Sequence, residues 1–167
     1  LFDLDNTLHD AGAFVFPALK ASMRGYIAQQ LQVDEAEAMR LSLHYWRRYG
    51  ATLLGLQRHH GIDAAHFLHE THRLPGLEPT VRGHRHDVAA LARLPGRRVI
   101  LTNAPRAYAL RVLGALGIGH LFERVLAIED MAMFGQLRPK PDARMSGMVN
   151  GLMNFTLRCW VKTPDYW

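Results

Sequence analysis

Cysteine is almost missing from this 167-residue chain, with Cys159 the single example. One thiol cannot close an internal disulfide, which favours a reducing compartment and makes the cytoplasm the expected location. Long apolar runs are missing too. None approaches the roughly 18 residues a membrane span needs, and no basic-then-apolar leader opens the sequence, so neither an integral membrane protein nor a membrane partner is expected. Acidic residues are the minority, 15 against 20 Lys and Arg, for a net charge of +5. That surplus suits a phosphorylated substrate as well as nucleic acid, but the basic residues are scattered and form no arm or stripe, so no nucleic-acid partner is expected. There is no internal repeat and no low-complexity segment. What is present, 49% hydrophobic and 21% charged positions, describes a globular chain large enough to bury a core and excludes disordered and fibrous classes.

Along the chain, Leu1 to Leu8 reads as a strand running into a loop, because Phe2 and Leu4 flank an acidic pair before Asn6 and Thr7. Helical periodicity then holds for about 70 residues. Phe14 to Leu31 shows apolar spacings of three and four, with Pro17 acceptable in a first turn. Asp34 followed by Glu37 resembles a capping box opening a helix that ends at Gly50. Shorter helices are expected over Thr52 to His60 and Ala64 to His72, before a boundary cluster of Pro75, Gly76 and Pro79. Beyond it come a helix from Arg85 to Leu94, a strand from Arg97 to Leu101, a helix from Pro105 to Leu116 stopped by Gly117, and a strand from Val125 to Ile128. Glu129 and Asp130 are expected to cap the next segment. Polar residues placed just past each strand end are the signature of an open parallel α/β sheet. The fold expected is α/β, a Rossmann-like parallel core over 1–11 and 83–167 with an inserted helical cap over 12–82.

Chemistry concentrates in three places. Asp3 and Asp5, two residues apart at a strand end, repel unless a hard cation such as Mg²⁺ neutralises them. With a metal, one carboxylate can attack phosphorus while the other passes a proton to the leaving oxygen. A bare D-x-D pair is also what a turn with a helix-capping aspartate looks like. Thr102 and Asn103 end the second strand with a hydroxyl and an amide suited to phosphate oxygens. In Arg138-Pro139-Lys140-Pro141-Asp142 a lysine sits between two prolines, where its point charge could neutralise a nucleophile and a phosphate.

In that order and spacing, DLDNTL, LTNAP and RPKPD, with the helical block between the first two, resemble the first three motifs of the haloacid dehalogenase-like hydrolase superfamily. The segments HYWRRYGATLLGLQRHHGID, LTNAP and IEDM look like its pyrimidine 5'-nucleotidase branch, whose members hydrolyse UMP and CMP. The resemblance implies Asp3 as nucleophile, Asp5 as acid and base, Thr102 and Asn103 as phosphate ligands, and Lys140 as the neutralising lysine. It also implies Mg²⁺ held by the Asp3 carboxylate and the Asp5 backbone carbonyl. Dehalogenating relatives lack the second aspartate, so Asp5 favours phosphate ester hydrolysis.

The resemblance weakens at both ends. Only Leu1 and Phe2 precede Asp3, so the chain is expected to start inside its first strand and the core to be incomplete at both ends. Beyond Arg144 the tail holds three of the seven Met, two of the three Trp and a single acid, Asp165. Phe155 to Val161 is a candidate for the strand before the fourth motif. Asp165 is then the candidate for its metal-binding acid, although Lys162-Thr163-Pro164 does not match the family pattern; a solvated terminal aspartate is the alternative. His66, His69 and His72 are spaced by three, which drifts around a helix, so they and His59-His60 read as surface or cap residues in preference to a zinc site. Tyr45, Trp46 and Tyr49 read as packing residues. Tyr49 and Thr52, with a neighbouring histidine, are also candidates for a roof over a pyrimidine base. Arg47, Arg48 and Arg58 read as a solvated face. The alternatives to a pyrimidine nucleotidase are a phosphatase for another small phosphorylated metabolite, such as phosphoglycolate, and an inactive family member.

Overall fold

The computed structural model describes residues 1–133 and 136–140. The tail from 141 onward, including the candidate strand Phe155 to Val161, Asp142 and Asp165, lies outside the described residues. The described chain divides into two compact units, 1–11 with 77–140, and 12–76. No described helix is long and apolar enough to cross a membrane.

The 12–76 unit is helical throughout. Helix α1 (Val15–Leu31) buries Val15, Leu19, Met23, Tyr26 and Ile27, one stripe at spacings of three and four, and ends where Gln32 turns left-handed at φ 55°. Helix α2 (Glu35–Tyr49) is opened by Asp34, whose carboxylate accepts the Glu37 N–H at 2.8 Å, and closed by Gly50 at φ 79°. This is the cap the sequence announces. Gly61 closes α3 (Thr52–His60) in the same way, and Asp63 caps α4 (Ala64–Thr71) by accepting the His66 N–H at 2.7 Å. Helix α2 packs on α1 and α3, and α1 on α4.

The α2/α3 contact depends on Gly55. A Cβ built there would fall inside the ring and Cβ of Tyr45, which is itself buried. Gly55→Ala should therefore destabilise the protein by about 1–3 kcal/mol despite alanine's better helix propensity, because the ring must leave its place. Chemical unfolding of the variant checks this; an unchanged or raised midpoint would show that α2 and α3 separate freely.

The other unit is built on a parallel sheet. Strand β1 (Val99–Leu101) pairs in parallel with β2 (Arg124–Leu126), Ile100 opposite Val125. On the other edge of β1 Phe2 forms a parallel bridge to Ile100, donating its N–H to Val99 at 2.9 Å while its carbonyl accepts the Leu101 N–H at 2.8 Å. All three residues of β1 are buried, as expected for a strand flanked on both sides in a parallel sheet. Helix α5 (Arg85–Arg93) precedes β1, and α6 (Arg106–Leu116) makes the crossover to β2, burying Tyr108, Ala109, Val112 and Leu113. A short antiparallel pair, β3 (Ala132–Met133) and β4 (Gln136–Leu137), comes next, and the Arg138 N–H donates to Met131 O at 2.8 Å. That pair carries the chain to Lys140.

Three local expectations change. Residues 77–82, grouped with the helical block by sequence, bond to the sheet unit. The Asp10 N–H donates to Arg82 O at 3.0 Å and Arg111 of α6 pairs with Glu78 at 2.6 Å. The strand expected over Val125 to Ile128 is Arg124–Leu126, with a 3₁₀ turn after it at Ile128–Asp130. Glu129, expected to cap the segment after it, instead reaches back to the start of α6, where both its carboxylate oxygens accept the Arg106 N–H at 3.0 and 3.1 Å. Pro105 precedes that helix and has no side-chain acceptor, so a carboxylate from elsewhere supplies the missing cap.

Candidate active site

The turn after Phe2 fixes the two aspartates. Leu4 is wholly buried, and its carbonyl accepts the N–H groups of Thr7 at 3.3 Å and Leu8 at 2.9 Å, a single tight turn. Closing it requires a left-handed residue, and Asn6 supplies one at φ 55°, its side-chain oxygen accepting the Ala11 N–H at 2.9 Å. Asp3 is left half-buried at the strand end, and Asp5 is turned into the interior.

Asp3 Oδ1 accepts two hydrogen bonds, from the Leu4 N–H at 2.8 Å and from Lys140 Nζ at 2.7 Å. The same ammonium donates to the Leu101 carbonyl at 2.8 Å, so the lysine bridges the ends of the first segment and β1. Asn103 holds it there. Its Oδ1 accepts the Lys140 N–H at 2.8 Å and its Nδ2 donates to the Lys140 carbonyl at 3.1 Å, closing a ring between one amide side chain and one residue's backbone. Pro139 adds a restricted φ just ahead of it. Thr102 is buried beside them. Its N–H donates to Leu126 O at 2.9 Å, and its hydroxyl oxygen accepts the Ala104 N–H at 3.1 Å, which leaves the hydroxyl hydrogen to donate. Asp3, Thr102, Asn103 and Lys140 thus meet at the carboxyl ends of neighbouring parallel segments, where ligands bind in open α/β sheets. Asn103, expected to hold phosphate, is seen to position the lysine.

Asp5 has partners that the sequence did not reveal. Its Oδ1 accepts the Tyr108 hydroxyl at 2.7 Å and lies 2.8 Å from His9 Nε2, with the His9 side chain fully buried. Burial, and then the Asp5 carboxylate beside it, pushes the Tyr108 phenol well above its ordinary range, so the hydroxyl stays protonated and donating. The one signal for His9 is its spacing, four residues after Asp5 in the same tight turn. Tyr108, 103 positions away, gives no sequence signal.

The remaining candidates belong to the helical unit. Thr52 is buried there and donates its hydroxyl to Ser42 O at 3.1 Å. The Tyr49 hydroxyl bonds His59 Nε2 at 2.6 Å, and the Arg48 and Arg58 guanidinium groups, exposed as expected, lie 5.6 and 5.8 Å from its ring centroid as cation–π partners. Tyr45, expected to pack, is buried, and its hydroxyl bonds His60 Nε2 at 2.6 Å. His72, read as a surface or cap residue, closes α4 in the helical unit and is buried, its Nδ1 within 3.0 Å of Leu68 O. Among the described residues, no group of three or more His, Cys, Asp or Glu is placed to share a metal ion. The donor chemistry at Asp3 nonetheless fits Mg²⁺. Its carboxylate is a hard oxygen ligand, 27% exposed, with both described donors gathered on Oδ1.

A family model described as haloacid dehalogenase-like hydrolase matches residues 1–146. The protein named Phosphate metabolism protein 8 of Saccharomyces cerevisiae is 25% identical over 169 residues, a match covering 92% of this chain and 52% of that protein. The chain therefore spans about half the length of this relative.

Proposed function

The chain belongs to the haloacid dehalogenase-like hydrolases, and from that premise we propose that it is a Mg²⁺-dependent phosphatase that hydrolyses pyrimidine nucleoside 5'-monophosphates, UMP or CMP, through a phosphoaspartate. The observation that carries the reading is the Lys140 ammonium, 2.7 Å from the Asp3 carboxylate and fixed from behind by Asn103. A carboxylate attacks a dianionic phosphate only when a fixed positive charge offsets their repulsion.

In this reading Asp3 attacks through Oδ2, since Oδ1 is occupied. The new O–P bond forms as the bond to the ribose 5'-oxygen breaks, and Asp5 gives that oxygen its proton. Water then attacks the acyl phosphate, Asp5 takes up the water's proton, and Asp3 is regenerated with release of inorganic phosphate. The Thr102 hydroxyl and the second Asn103 amide hydrogen donate to phosphate oxygens. The Asp3 carboxylate and the Asp5 backbone carbonyl would hold Mg²⁺, with Asp165 a further candidate beyond the described residues. A cation held there would supply charge to offset that of the phosphate.

The pyrimidine preference draws on the sequence resemblance. One observation favours the second reading, a smaller substrate such as phosphoglycolate: the Thr52 hydroxyl is spent on Ser42 O inside its own unit and is not offered to a base. A panel of UMP, CMP, AMP and phosphoglycolate, assayed over a Mg²⁺ titration, separates the two. The highest kcat/KM is expected with a pyrimidine nucleotide. Phosphoglycolate in first place would transfer the assignment, and no turnover of any at saturating Mg²⁺ would mark an inactive member. In the same titration Asp165→Ala should raise the Mg²⁺ requirement by about 10–100-fold if that residue orients the cation; an unchanged requirement would leave Asp165 a solvated tail residue.

A further inference from the structure

We infer that His9 and Tyr108 are positioning residues for Asp5, fixing the orientation of the carboxyl that exchanges the proton with the leaving group. The inference rests on the phosphatase reading for its consequence, though the clamp itself is a matter of geometry.

The two donors come from separate elements, His9 from the turn after the first segment and Tyr108 from α6, yet both converge on one oxygen at 2.8 and 2.7 Å. A carboxylate held by one donor can still rotate about its terminal torsion, which is broad. Two donors on the same oxygen from different directions remove that freedom. They also occupy both lone pairs of Oδ1, so a proton bound there would have to displace one of them.

His9 supports the same conclusion. Its ring is fully buried, yet Nδ1 has no hydrogen-bond partner among the described residues. Buried polar atoms are nearly always paired. A buried imidazole with Nδ1 unsatisfied bears a cost that an apolar residue would not, and what it gains there is the Nε2 contact to Asp5 at 2.8 Å. For a general acid that contact has value, because a proton misplaced by about 1 Å costs on the order of 10²-fold in rate.

The test compares leaving groups, using kcat/KM, which reports the chemistry only as far as phosphoryl transfer to Asp3. An alkoxide such as the ribose 5'-oxygen of UMP needs the acid, and p-nitrophenolate needs it far less. The double variant His9→Leu with Tyr108→Phe should lose on the order of 10²-fold with UMP, or with phosphoglycolate if that proves the better substrate, and at least about tenfold less than that with p-nitrophenyl phosphate. His9→Gln, whose amide nitrogen reaches the Nε2 position, should recover most of the loss due to His9. Equal losses on both substrates would overturn the inference in favour of a packing role. A second arm needs no turnover. In protein carrying ¹⁵N-labelled histidine, His9 should hold a single tautomer with the proton on Nε2, and Asp5→Ala should release it; a ring that already averages both tautomers would refute the clamp. If the unmodified chain hydrolyses neither ester, the phosphatase reading fails, and this spectroscopic arm still decides whether His9 is anchored to Asp5.

Discussion

Asp3→Asn should abolish phosphate release altogether. The substitution is isosteric, and its amide oxygen can still accept from the Leu4 N–H and from Lys140 Nζ, the two donors on Asp3 Oδ1. The fold and the lysine's position should therefore survive. On the proposed mechanism, what disappears is the anionic oxygen that would form the bond to phosphorus. The measurement is inorganic phosphate release from the preferred monophosphate, by protein purified free of host phosphatase, beside a thermal unfolding curve that certifies folding. Hydroxylamine trapping of an acyl phosphate supplies the positive control in the unmodified protein. A folded Asp3→Asn chain that hydrolyses like the original would place the nucleophile elsewhere.

Asp5→Asn should leave binding nearly intact while lowering kcat/KM by roughly 10²–10⁴-fold, the range for losing a positioned general acid. Asparagine keeps an oxygen for Tyr108 and His9, at 2.7 and 2.8 Å from Asp5 Oδ1, so that buried clamp remains satisfied. Substrate affinity of the inactive protein, read by titration with inorganic phosphate, should change far less than the rate. A rate within a few-fold of the unmodified chain on an alkyl phosphate would show that protonation of the leaving oxygen is not the work of Asp5.

These expectations draw on two kinds of information in the chain. Features decided within a few residues were legible directly. Asp34 and Gly50 bracket α2 as read, because an N-cap oxygen needs only the amide three residues on and a left-handed closure needs only glycine. Val99–Leu101 could be recognised as a buried strand from its apolar run. The acidic pair, Thr102 and Lys140 stand out in the sequence as carboxylates, a hydroxyl and an ammonium in short motifs, and the fold brings Lys140 to Asp3.

Tertiary structure alone decided what those residues bond to. Asn103 has the composition of a phosphate ligand, and its clamp on the Lys140 backbone exists only because the chain from β3 and β4 leads back to β1. Glu129 looks like a cap for the segment on its C-terminal side, but serves α6 because Pro105 leaves that helix start without an acceptor and β2 ends alongside. Thr52 looks available to a ligand and is spent on Ser42, since the α2/α3 contact buries it. Tyr108 meets Asp5 across 103 positions of sequence. Propensity and capping act over one or two turns, so sequence reveals them. A hydrogen bond between distant residues depends on how helices and strands pack, and packing is a property of the whole core, which no local pattern records.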